Sequence, residues 1–374
     1  MPYSRFATVP ACQHKPGAPE PPGRTTIERP SESPAGPLPA PRATPDHETP
    51  VKSSENRPRP TGAGVGPIEI LFNPRSGAHD QAQAHACIAA VLAASGRDYR
   101  FVPIERPEAI GKLARSLGER ARECDGAVVA AGGDGTINAV AQAVLGSGCA
   151  FGVLPQGTFN YFSRAHHIPF DTSEALQVLL SEQPQAVQVG LVNDRVFLVN
   201  ASLGLYPQLL EERENWKHYL GRNRFVAFVA AFFTLMGGYR TLRLQVSTPQ
   251  VQRKLRTPTL FVGNNALQME QLGLPLAQDI DRGELAAIVL KPVRRLAMLG
   301  LLLRGALGQL GTSGRLLSFP VTRLDVTTAW PFRGRRIKVA TDGEIRWLQL
   351  PLDFRVSPQP LFLIRPPAAE REPS

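Results

Sequence analysis

Cysteine is scarce: the 374 residues hold four, at Cys12, Cys87, Cys124 and Cys149. None forms a CxxC pair, and no histidine lies at metal-ligand spacing from one. A disulfide scaffold and a zinc site are both poor readings, and the pattern fits a reducing cytosol. Long apolar runs are scarce too. The opening MPYSRFATVPACQHKPG has no continuous apolar stretch of the kind a secretory signal carries. The longest apolar run, FVAFVAAFFTLMGG at 225–238, is shorter than the roughly 20 residues a spanning helix needs. Several signatures are missing outright. Without GxxxxGK[ST] the chain is not a P-loop ATPase, and the glycines at 132, 133 and 135 do not satisfy GxGxxG. There is no GxSxG elbow and no HExxH pair.

What is present suggests two domains with tails. A chain of 374 residues with 43% hydrophobic content and a net charge of +10 is too long for one small core. Residues 1–66 are rich in Pro, Ser, Thr, Glu and Arg and bury too little to offset ordering entropy, so they read as a disordered tail, as do 367–374. Order begins with the strand IEILFNP (68–74), followed by an alanine-rich helix near 80–94 and the strand DYRFVPI (98–104). Then come an amphipathic helix at 107–123, the buried strand GAVVAA (126–131), a helix at 136–145, the strand CAFGVLP (149–155) and a further short helix. Apolar strands alternating with helices predict a doubly wound, parallel α/β nucleotide-binding domain over 67–185. From 186 to 366 the chain becomes short strands joined by turn signals. This predicts a second, mostly antiparallel β-sandwich domain, interrupted by helical inserts near 211–238 and 292–310.

Ligands of such α/β sheets bind beyond the carboxyl ends of the strands. Three polar, glycine-bearing turns fall there: NPRSG (73–77), GGDGT (132–136) and QGT (156–158). In the second, Gly132 and Gly133 permit a sharp turn with free amides, and Thr136 can cap the helix that follows. The helix N-terminus favours an anion, so this half of the motif is a phosphate cradle. Asp134 then needs another role: meeting Mg²⁺ or a substrate proton, or simply capping the helix. TDGE (341–344) is either an Asp-Gly hairpin turn or a catalytic turn with Glu344 as general base, facing the GGDGT edge across an inter-domain cleft.

The ordered set NPRSG, GGDGTINAVA, LPQGTFN, NASLG, FVGNN and TDGE resembles the bacterial diacylglycerol kinase-like lipid kinases, relatives of sphingosine and ceramide kinases, over about residues 67–366. GGDGT alone is shared with NAD kinases, which form one rival reading. The resemblance implies an ATP-dependent kinase acting on a lipid hydroxyl, with the active site between the α/β domain and the β-sandwich. It assigns ATP binding to Asn73, Pro74, Arg75, Ser76 and Gly77, to Gly132, Gly133, Asp134, Gly135, Thr136, Ile137 and Asn138, and to Gly157 and Thr158. It makes Glu344 the proton acceptor. Mg²⁺ would bridge the ATP phosphates with Asp134 close by, directly or through water.

Two departures stand out. Tyr161 takes the place of an acid in the third loop, and Arg282 replaces the second aspartate of the turn that holds a structural metal in relatives, leaving Asp281 as the remaining metal candidate. These favour a second rival, a catalytically silent lipid-binding protein on the same fold. Residues 291–346 carry 11 Lys/Arg against three acids, a basic face suited to ATP and anionic headgroups. Aromatics do not alternate with these cations, so nucleic acid is a poor partner. The expected partner is a lipid substrate at a membrane surface. Peripheral association at the inner face of the membrane by a cytoplasmic protein follows, with a homodimer left open.

Overall fold

A computed structural model describes residues 66–74, 81–204, 241–249, 251–293, 314–328 and 336–367, with a few isolated positions between them. These lie within one compact unit spanning Asn56–Ser374. The expected tails, and almost all of the two helical inserts near 211–238 and 292–310, lie outside the described residues.

The first half alternates strand and helix: β1 (Ile68–Phe72), α1 (Gln81–Ser95), β2 (Tyr99–Pro103), α2 (Ile110–Glu123), β3 (Ala127–Gly132), α3 (Asp134–Val144) and β4 (Ala150–Pro155). A short helix α4 (Tyr161–Ala165), α5 (Thr172–Ser181) and β5 (Pro184–Val187) follow. Strands β1, β3 and β4 are buried along their whole length, because helices cover both faces of a parallel sheet. On α2 the buried positions Ile110, Ala114, Leu117, Gly118 and Ala121 recur at helical spacing. Gly118 leaves room for Val144 of α3, whose Cγ1 would stand 3.2 Å from any added methyl. One strand residue breaks the apolar pattern. Glu69 is fully buried, and its carboxylate pairs with Arg100 at 2.9 Å and with Arg120 of α2.

The second half holds β6 (Gly190–Val192), β7 (Arg195–Phe197), β8 (Asn200–Gly204), β9 (Leu242–Ser247), β10 (Gln252–Thr257) and β11 (Thr259–Gly263). Next come two helices, α6 (Ala266–Gln271) and α7 (Ala277–Asp281), then β12 (Leu285–Leu290), β13 (Leu316–Val321) and β14 (Arg323–Thr328). The chain ends with β15 (Arg336–Thr341), β16 (Glu344–Gln349), β17 (Leu352–Val356) and β18 (Leu361–Ile364). Two six-stranded antiparallel sheets result, ordered β10-β9-β14-β17-β6-β7 and β13-β12-β11-β8-β15-β16. Inward residues of both sheets, among them Leu244, Val326 and Phe354 facing Leu203, Val262 and Val339, share one core. A smaller cluster seats α6 and α7 on the outer face of the second sheet through Met269, Ile280 and Ile288. The fold is therefore an N-terminal α/β domain and a C-terminal antiparallel β-domain.

The first sheet runs β2-β1-β3-β4-β18-β5. Its last member in sequence is β18, which pairs parallel to β4 and antiparallel to β5, so residues 361–364, expected in the β-sandwich, return to the α/β layer. The order reverses between β1 and β3, which places a ligand crevice beyond Phe72 and Gly132.

Candidate active site

The crevice is built from glycines in close contact. A methyl group added at Gly133 would stand 3.3 Å from the Gly157 Cα, and one at Gly157 would stand 2.9 Å from the Gly133 Cα and 2.5 Å from Asn160 Oδ1. Residues larger than glycine cannot occupy this crossing without moving a backbone. The Gln156 amide also donates to the Gly132 carbonyl at 2.9 Å, tying the second loop to the third. Asn160 completes the third loop. It adopts the left-handed conformation, φ 47°, and its side chain accepts from the Gly157 amide at 2.9 Å and donates to the Gly157 carbonyl at 2.8 Å. Gly157→Ala should therefore lower Tm by several degrees, read by thermal unfolding.

Helix α3 begins at Asp134, two residues before the start expected from sequence, with Gly133 as an extended N-cap. Thr136 consequently lies inside the first turn and does not cap. Its buried hydroxyl instead accepts a hydrogen bond from Asn73 Nδ2 at 2.9 Å, joining the ends of β1 and β3. Asp134 does cap a helix, but a different one: its Oδ1 accepts from the Phe162 amide at 3.5 Å, at the start of α4. Burial pushes the Asp134 carboxyl above its usual range, and the amides of Phe162, Asn160 and Tyr161 pull the other way. Among the other assigned residues, Pro74 and Thr158 are exposed, and Ile137 is wholly buried in the core, so only its backbone is available to a ligand. Arg75, Ser76 and Gly77 lie outside the described residues.

The β-domain contributes the β15–β16 hairpin. Thr341 and Glu344 pair across a two-residue turn in which Asp342 and Gly343 both have positive φ, 47° and 87°. The Asp342 carboxylate accepts from the amides of Leu198 at 2.7 Å, Val199 at 2.9 Å and Asn200 at 2.9 Å, and from Asn138 Nδ2 of α3 at 2.7 Å. Asn138 also donates to the Val196 carbonyl at 3.1 Å, and Gln142 one turn on accepts from the Val196 amide at 2.8 Å. One face of α3 is thus stitched to the β-domain. The stitching brings Glu344 to the glycine turn: a methyl group at Gly135 would stand 3.2 Å from Glu344 Oε1. The other carboxylate oxygen accepts from Arg346 at 2.7 Å, and the Glu344 side chain is half exposed.

Burial pushes the Asp342 carboxyl up to about 6, against the pull of the Leu198, Asn200 and Val199 amides and of Asn138. A raised pKa means that the folded state takes up a proton before the unfolded chain does. This group's contribution to unfolding free energy therefore falls as pH rises from 3.8 to about 6 and is level above that. At about 1.36 kcal/mol per pH unit the fall is about 3 kcal/mol. Urea denaturation at about pH 4 and about pH 7 should show that slope in the wild type and a flatter one in Asp342→Asn.

Asparagines of the remaining motifs sit at the junction of the two domains. Asn264 donates to the Leu198 carbonyl at 3.1 Å and accepts from Gln188 at 2.8 Å. Asn265 caps α6 through the Gln268 amide and donates to the Tyr161 carbonyl at 3.2 Å. The Tyr161 ring stacks on Phe159, with centroids 6.0 Å apart. Asp281 ends α7, away from this turn. It borders a separate cavity of about 600 Å³ lined also by His166, Asn264 and Arg365. Among the described residues no three His, Cys, Asp or Glu side chains gather as a metal site. Two side chains that hold this junction, Asp342 and Gln142, carry no functional signal in the sequence beyond the Asp-Gly turn that contains the first.

Comparisons with known proteins agree with this architecture. Residues 67–192 match the family model of the diacylglycerol kinase catalytic domain. A diacylglycerol kinase of Staphylococcus haemolyticus is 31% identical over 146 residues, 38% of this chain and 43% of that protein. A probable lipid kinase, YegS-like, of Cronobacter sakazakii is 37% identical over 98 residues, 25% of this chain and 33% of that protein. The matched stretches thus span a third to less than half of those relatives' own length. A crystal structure of a diacylglycerol kinase from Bacillus anthracis superposes with a TM-score of 0.60 at 18% identity, covering 81% of this chain and 98% of that one. Among the described residues no helix is long and apolar enough to cross a membrane.

Proposed function

We propose that this chain, whose residues 67–192 match the family model of the diacylglycerol kinase catalytic domain, is an ATP-dependent lipid kinase that phosphorylates a hydroxyl of a membrane lipid such as diacylglycerol. The observation that carries the reading is the position of Glu344. A half-exposed carboxylate from one domain stands over Gly135, in the first turn of a helix of the other.

The residues present fit ATP. Gly133 lets the Gly157 loop cross closely and Gly135 lets Glu344 approach, and the first turn of α3 offers amides to an anion. Gln156, beside the loop crossing, has neither side-chain amide atom hydrogen-bonded among the described residues. Mg²⁺ is commonly held by one or two carboxylates together with substrate phosphates, and Asp134 is the acid in this loop. When bound, ATP supplies the phosphoryl group and Mg²⁺ neutralises charge developing on it.

The chain's own work is then positioning and proton transfer. Amides of residues 134–136, in the first turn of α3, would hold the phosphates at the helix end. Glu344 accepts the proton of the attacking hydroxyl at its carboxylate, with Arg346 fixing the orientation of that group. Asp342 and Asn138 keep the hairpin against α3, so the acceptor and the phosphate cradle stay in register. Asp134 shapes the cradle by tethering the start of α4. The Tyr161 carbonyl accepts from Asn265, which ties the start of α4 to α6. We place the protein in the cytoplasm, working peripherally at the inner face of the membrane.

The test is transfer of radiolabel from ATP with Mg²⁺ to diacylglycerol-containing vesicles, run in parallel with NAD as acceptor. Labelled lipid and unlabelled NAD are expected. Labelled NAD would point to an NAD kinase, and no labelled product from folded protein would point to a silent lipid-binding protein.

A further inference from the structure

Large apolar side chains are exposed at four described positions, Phe159, Phe170, Val251 and Trp347, and Trp347 is the most exposed at 59%. Single exposed apolar residues are ordinary on protein surfaces. The surroundings of Trp347 set it apart. It lies on β16, an edge strand, three residues beyond Glu344. At about 3.3 Å per residue the two Cα atoms are about 10 Å apart, and strand alternation sends the two side chains to opposite faces.

The face that carries Trp347 is basic. Lys338 is its direct cross-strand partner, with Nζ 5.3 Å from the ring centre. Arg336 and Gln349 form the next pair outward on the same face, and both are exposed. Inward lie Ala340 and Ile345, so this face of the hairpin carries two cations, an indole and an amide, and no acid. An indole beside cations suits the headgroup layer of a membrane, where the ring meets the acyl boundary and the cations meet lipid phosphates. Phe159, 51% exposed, is on the other domain, two residues from the Gly157 that touches Gly133. Exposed aromatics thus lie on both domains.

We propose that the outer face of the β15–β16 hairpin docks on an anionic phospholipid bilayer, with Trp347 in the interface and Arg336 and Lys338 on headgroup phosphates. The hairpin that carries Glu344, about 10 Å along the strand from Trp347, is then anchored at the bilayer. This rests on the lipid-kinase reading and adds the surface by which the substrate is met. A second copy of the chain is a poorer occupant. Charged side chains along a strand's free edge, here Glu344 and Arg346, oppose edge-to-edge pairing.

The experiment is co-sedimentation of the full chain with vesicles of mixed phosphatidylglycerol and phosphatidylcholine, without ATP or diacylglycerol. Wild type is expected to bind, and pure phosphatidylcholine vesicles to bind it less. Trp347→Ala and Lys338→Glu should each lower partitioning by about tenfold, whereas Val251→Ala should not change it. Trp347→Ala should also retain wild-type phosphoryl transfer to a short-chain, water-soluble diacylglycerol. The docking proposal is overturned if Trp347→Ala sediments like wild type, if wild type ignores anionic vesicles, or if the substitution changes the mass in sedimentation velocity and leaves vesicle binding intact. Vesicle binding is read without any reaction, and the soluble acceptor reports phosphoryl transfer without a bilayer. Failure of the docking surface and failure of the kinase reading therefore give different results.

Discussion

Glu344→Gln should leave the protein folded and reduce lipid phosphorylation by about 10²–10⁴-fold, the range ascribed to a positioned general base. The substitution is nearly isosteric and keeps an oxygen that can accept from Arg346, which donates to the carboxylate at 2.7 Å. What it removes is the capacity to take a proton. Because the side chain is half exposed and its ion pair with Arg346 lies at the surface, stability should change by less than about 1 kcal/mol. The effect should fall on kcat, with KM for ATP little changed, because the proposed phosphate cradle belongs to the other domain. Steady-state kinetics beside a thermal unfolding curve checks both statements. Activity within about threefold of wild type would remove Glu344 from the mechanism.

The strand-and-helix rhythm of the α/β domain was legible because its strands are buried on both faces and so consist of continuous apolar runs such as AVVAA. The turns after β1, β3 and β4 were legible because glycine, asparagine and threonine at strand ends are locally conspicuous. Long-range relations were not. Nothing near Leu361–Ile364 says that these residues leave the sandwich and pair with Ala150 and Phe151, since a short apolar strand fits either sheet. Thr136 was expected to cap α3 because a hydroxyl before an apolar periodic run ordinarily does. The cap is Gly133, and the hydroxyl is taken by Asn73, 63 positions away. Asp134 drew attention as an acid in a phosphate turn, and its tether to α4 depends on a backbone crossing visible only in three dimensions. Asn138 looked like part of the nucleotide motif, yet its side chain serves Asp342, 204 residues later.

Asp342→Ala is the second substitution with a large expected effect, and it acts through geometry. The wild-type carboxylate ends four hydrogen bonds, three of them from consecutive amides, Leu198, Val199 and Asn200. Two opposing terms decide the outcome. Removing a buried charge relieves its desolvation, the same effect that pushes this carboxyl up to about 6. Against that relief stand three amides left without their acceptor, each costing about 1–3 kcal/mol if it stays buried. The amides outweigh the relief, because the loop that carries them is fixed by the strands on either side. The expected net loss is about 2–4 kcal/mol of unfolding free energy at neutral pH. Catalysis should suffer further. Without the clamp, Asn138 loses one of its two acceptors and the hairpin is no longer pinned to α3, so Glu344 drifts from Gly135 and kcat should fall about 10²-fold. Asp342→Asn separates the two effects: it restores one acceptor oxygen but turns an amide donor toward the remaining N–H groups, so it should recover part of the stability and little of the rate. Urea unfolding and kcat measured on both variants test this, and an Asp342→Ala protein with wild-type kcat would show that Glu344 is held in place by something other than the turn that carries it.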